Sequence, residues 1–136
     1  MRPASIVQFE RIFLAALAVD MVAAILGLEF ALAALKANPA TASYGASAVI
    51  GTQLIFVAAA VALWYFAAHR RSVVAKWIIA AWFVLASCML ALSLFQGVFF
   101  GLATVLGWLG YALRAWSVSF LFKPDADAWF AKTSAG

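Results

Sequence analysis

Three ionisable side chains stand inside long apolar runs: Asp20, Glu29 and Arg114. The first two share the stretch LAVDMVAAILGLEFALAAL, Leu17 to Leu35, which is otherwise suited to hydrocarbon. An ionised group at mid-bilayer costs roughly 2.5 kcal/mol or far more, so such residues turn toward protein or water and take partners. Asp20 is eight residues beyond Ile12, where the first apolar segment begins. At about 1.5 Å per helical residue, that is ~12 Å from the segment's end. Arg114 is eight residues before Phe122, on a segment that must run the opposite way, so it reaches the same depth. At about 100° per residue, Ala16, Ala23, Ala24, Gly27 and Ala31 share the Asp20 face. Ala103, Gly107, Gly110 and Ser117 share the Arg114 face. Small residues let helix backbones approach closely. The sequence therefore predicts an Asp20–Arg114 ion pair between docked helices, within one chain or between chains. Such a pair is either a proton or ion relay or a clamp that fixes helix register. A carboxylate permanently matched to a guanidinium is a poor proton carrier, which favours the clamp.

Glu29 differs. Nine residues from Asp20 is about 900° of helical rotation, so it points to the opposite side. Its depth matches Gln53 on the second apolar segment, and Lys36 shares its face. Two readings follow: snorkelling toward the outer interface with Lys36 or Gln53 as partner, or a titratable site facing a dimer interface or aqueous cavity. The second would suit exchange of protons for a cationic substrate.

Other chemistry is sparse. His69 has no His, Cys or carboxylate at ligand spacing, so no metal site is expected. Cys88 is alone in an apolar run, which excludes an intrachain disulfide and reads as a buried structural thiol. There is no GxSxG, HExxH or Walker sequence, so the expectation is a protein without catalytic residues or cofactor, not an enzyme. The net charge of +4 comes without a basic patch interleaved with aromatics, so nucleic acid is not an expected partner.

The elements that must position these residues are membrane helices. The chain is 68% hydrophobic and 10% charged, with mean hydropathy +1.07, far from a soluble domain. A helix needs about 20 apolar residues to cross the hydrocarbon core. Four segments qualify: 12–35, 46–68, 73–95 and 98–122. The breaks are KANPATASYG, HRRS and a short FQG, the last predicting a tight hairpin. Gly97 and Gly101 make a GxxxG that reads as a packing signal at the start of the fourth helix. Arg2, Arg11, Arg70, Arg71, Lys76, Lys123 and Lys132 lie on one side and Lys36 alone on the other, seven against one, so both termini should be cytoplasmic. Trp64, Tyr65, Trp77, Trp129 and Phe130 read as anchors at the lipid–water interface. Asp125 reads as the N-cap of a short interfacial segment within 123–136. The expected fold is all-α: a single domain of four transmembrane helices in an antiparallel bundle.

The pieces RPASIVQFER, SVVAKWI and LFKPDADAWF together resemble a loose group of small, uncharacterised bacterial inner-membrane proteins. That group has four helices and a closing LFxPxAxxWF-like segment. The resemblance implies topology and a multi-pass inner-membrane location, and it carries over no functional residue. The expected role is a non-catalytic accessory or assembly subunit of a larger inner-membrane complex, acting by helix packing. The alternative is a homodimeric proton-coupled transporter or channel. In either case the bilayer and other membrane subunits, or a second copy, are the expected partners.

Overall fold

The computed structural model describes residues 1–99 and 101–134. Within them the chain forms α1 (Ala4–Leu26), α2 (Leu28–Ala37), α3 (Ala46–Ala68), α4 (Val73–Phe95), α5 (Leu102–Phe120) and α6 (Pro124–Ser134). No strand occurs among the described residues. Residues 135 and 136 of the expected interfacial segment lie outside them. By length and composition, α3 and α4 can each cross a membrane. The pairs α1–α2 and α5–α6 pass the same test together, bent by 59° and 65°.

The first expected span is therefore not one straight helix. It starts at Ala4 and breaks at Gly27, which has the weakest intrinsic helix preference of any residue but proline. The bend also removes the geometric basis for setting Glu29 opposite Asp20, since the rotation count assumed a continuous helix. Gly27 is a contact point as well: a Cβ there would lie 3.1 Å from the Ala23 carbonyl oxygen and 3.6 Å from the Ala103 methyl.

The expected tight hairpin and the GxxxG signal are both corrected at the α4–α5 junction. The helix does not resume at Val98 but at Leu102. Gly97 and Gly101 sit in the loop with φ of 65° and 61°, and a Cβ on either would meet nothing within 4 Å. They act as turn-formers, supplying left-handed backbone that side chains resist, and a side chain on either would pack against nothing nearby. At the α3–α4 turn, Ser72 caps α4, its hydroxyl accepting from the Ala75 N–H at 3.2 Å.

α1 packs along α5 over most of its length, with α3 against α1 and α4 against both α3 and α5. Burial is concentrated at one end. Ile6, Phe9, Phe13, Ala67, Ala68, Ala75, Val118 and Leu121 form a core where both terminal regions and the 69–72 turn meet. α6 folds back across this end. Ser5 N–H donates to Asp125 at 3.2 Å, and Lys76 Nζ donates to Asp127 at 2.7 Å. Trp129 and Phe130 are 6% and 3% exposed, so they are core residues of the bundle end rather than interface anchors. Asp125 lies in the first turn behind Pro124 rather than at the N-cap. Proline suits that first position because its missing N–H would have no helical partner. Cys88 is exposed on α4, contrary to the buried thiol expected. Away from the closed end the helices part, and two clefts open between them.

Candidate functional site

Depth and periodicity bring Asp20 of α1 and Arg114 of α5 to one level, and in the structure their side chains form an ion pair, Arg114 Nη2 donating to Asp20 Oδ2. The pair is partly buried, with side-chain exposures of 17% for Arg114 and 29% for Asp20. Room for it comes from Gly110, one turn before Arg114 on α5. A Cβ at this buried glycine would run into the Asp20 carboxylate and approach Val19 to 3.6 Å. The Phe13 ring lies 5.5 Å from the guanidinium carbon on the closed side. Arg114 Nε is buried without an acceptor, and the Arg114 carbonyl accepts from the Ser117 hydroxyl at 2.8 Å.

Above the pair lies a cleft of about 350 Å³ between α4 and α5. Asp20 and Arg114 line it together with Leu90, Gly107, Trp108 and Tyr111. Gly107, expected at a close helix contact, instead opens this space: a Cβ there would meet nothing within 4 Å. A hydrogen-bond chain ties the two walls. Ser87 donates its one proton to the Phe83 carbonyl at 2.8 Å, so Tyr111 must be the donor in its 2.7 Å bond to Ser87. The Tyr111 and Phe83 rings also stack at 5.2 Å. Sequence reasoning did not single out Tyr111; its spacing of three residues from Arg114 was the available signal.

Small residues divide between two uses, helix contact and cleft lining. Ala16 is fully buried at the helix contact, and Gly27 meets Ala103 across the α1–α5 contact. Ala23 is half-buried beside them. Ala31 lines a second cleft, also about 350 Å³, between α1–α2 and α3. Gln53 lines that same cleft, whose other walls are apolar.

Glu29 is exposed in the first turn of α2 and Lys36 is exposed in its last turn. These are favourable ends of the helix dipole for their charges. The structure does not bring Glu29 together with either Lys36 or Gln53 in an ion pair or hydrogen bond among the described residues. Of the expected anchors, Tyr65 and Trp77 are exposed, while Trp64 is half-buried. His69 stacks on Tyr65 and meets Trp64 edge-on, both at 5.3 Å.

At the closed end, the Ser5 hydroxyl and then its backbone N–H hold the Asp125 carboxyl below the ordinary carboxylate range. The hydroxyl is buried without a partner in hydrogen-bonding geometry, so the bond itself belongs to the N–H. Lys76, buried beneath α6, lies 4.5 Å from the Phe122 ring and 5.2 Å from the Phe130 ring. Arg71 covers the Trp129 ring at 4.1 Å. These cations hold α6 by charge and by ring faces together.

No protein family, curated protein or solved structure matches the chain. Among the described residues, no group of three or more His, Cys, Asp or Glu side chains is arranged to hold a metal ion. The chemistry available at the site is that of a self-neutralised ion pair beside an open, mostly apolar cleft.

Proposed function

We propose that the chain is a four-span, non-catalytic protein of the bacterial inner membrane that packs against the spans of a larger complex. In this reading α1–α2 together make one crossing and α3, α4 and α5 one each, with α6 and both termini on the cytoplasmic side. Seven Lys and Arg residues at the end holding the termini and the 69–72 turn, against Lys36 at the other, support that orientation.

The packing role rests on Gln53. Its amide lines an apolar cleft of about 350 Å³ and makes no hydrogen bond among the described residues. An amide in hydrocarbon gains by finding a partner, and Gln side chains do so across helix interfaces. A neighbouring span that fills the cleft and meets Gln53 satisfies both needs. The test is gentle extraction of the tagged protein, followed by the mass and composition of the particle. A larger particle with stoichiometric foreign subunits, lost in Gln53→Leu, is expected. A monomer from the native membrane, or a complex indifferent to Gln53→Leu, would overturn the reading.

A second reading, a homodimeric proton-coupled transporter or channel, is favoured by one observation: the Asp20 carboxylate lines an open cleft. A clean homodimer with proton-linked uptake lost in Asp20→Asn or Glu29→Gln would select it.

A further inference from the structure

We propose that the cleft between α4 and α5 binds the hydroxyl head and first carbons of a long-chain alcohol, with the Asp20–Arg114 pair as its floor. Its walls are mostly apolar, contributed by Leu90 and Trp108 among others, with Ser93 and Thr104 also lining it, and its volume is about 350 Å³. At ~30 Å³ per water-sized group, that accommodates roughly a dozen non-hydrogen atoms. Leu94 and Trp108, 55% and 40% exposed, form the lip, so the rest of a chain passes out among the lipid tails.

The floor selects the head. Asp20 and Arg114 neutralise one another. An anionic head would face the Asp20 carboxylate and a cationic head the Arg114 guanidinium, and either adds an unmatched charge within the bilayer. A neutral head avoids both. Arg114 has five N–H donors and gives one hydrogen bond to Asp20, leaving donors for an oxygen. Tyr111 has committed its proton to Ser87 and offers a lone pair, as does the Asp20 carboxylate. A hydroxyl can accept from Arg114 and donate to Tyr111 or Asp20 at once. A ketone or ester oxygen can only accept. The ligand class is therefore a single-chain alcohol, linear or prenyl, and not a charged two-tailed lipid.

The test uses the full chain in lipid nanodiscs with a diazirine-bearing dodecanol as photoprobe. Saturable labelling of α4 and α5 around Leu90 and Trp108 is expected. Unlabelled dodecanol should compete, while dodecanoate and dodecylamine should not. Gly107→Leu fills the open space and should abolish labelling, whereas Gly51→Leu, on α3 with equally open surroundings, should retain it. Ala86→Leu narrows the opposite wall and serves where Gly107→Leu folds poorly. Labelling spread evenly over the helices, labelling unchanged in both cleft variants, or equal competition by dodecanoate would overturn the proposal. None of these outcomes depends on Gln53 or on a partner subunit.

Discussion

Two helices can share an ion pair only where one of them yields space. Gly110 yields it, and Asp20 and Arg114 meet over it. Removing one charge leaves the other stranded, which by analogy with buried pairs costs roughly 3 kcal/mol. Asp20→Asn and Arg114→Gln should each lower the unfolding temperature in detergent, and the double variant should lose less than the sum of the two. Additive losses would mean that the pair does not act as a unit. Two glycines on one helix give a sharper contrast. Gly110→Ala forces the Asp20 carboxylate aside and should destabilise by about 1–3 kcal/mol. Gly107→Ala meets open space and should instead stabilise by about 0.5–1 kcal/mol, since alanine loses less backbone freedom in a helix. The pair was legible in the sequence because depth and face both follow from a fixed helical rise and rotation. The different duties of Gly107 and Gly110 were not, because periodicity puts both on one face and says nothing of what lies opposite.

An element's role depends on where its neighbours end, and α6 is the plainest case. Trp129 and Phe130 beyond an apolar segment fit interface anchoring by type and position. What turns them inward is the docking of α6 through Ser5, Lys76 and Arg71. Those three residues lie far from Asp125, Asp127 and Trp129 along the chain, so no local pattern reveals the arrangement. The docking has a pH signature. Because the folded Asp125 carboxyl lies below its ordinary value of 3.8, its contribution is complete above that value and fades as pH falls through the lowered one. The protection of α6 amides from hydrogen exchange, taken relative to the intrinsic rate at each pH, should fall over that acidic range, and Asp125→Asn should flatten the dependence while leaving protection lower at neutral pH. A profile shared by Asp125→Asn and the parent would remove Asp125 from the clamp. The loop between α4 and α5 shows the same limit of local reading, since GxxxG spacing is identical in a helix and in a turn. Gly97→Ala and Gly101→Ala should each cost about 1–2 kcal/mol for the left-handed backbone, measurable as lowered thermal stability.

At the scale of the whole molecule, the chain has a closed end and an open one. Its aromatic core, its α6 cover and most of its cationic side chains share the closed end, while both large clefts lie toward the other. Without water between helices, van der Waals packing and polar contacts must hold membrane spans together. The closed end supplies these within the chain, whereas at the open end Gln53 and the Asp20–Arg114 pair border clefts. This division gives orientation a functional meaning, since the cationic end should face the cytoplasm and the clefts should then open toward the outer leaflet. Cysteine scanning in a Cys88→Ala background tests this directly. Ala42→Cys, in the connection between α2 and α3, should react with a membrane-impermeant maleimide added to spheroplasts. Arg70→Cys, in the α3–α4 turn, should react only after the membrane is permeabilised. The reverse pattern would put the closed end outside and direct the search for partners and ligands to the cytoplasmic leaflet. Equal reactivity of both sites before permeabilisation would instead mean that α3 does not cross the membrane, and the four-span topology would fall with it.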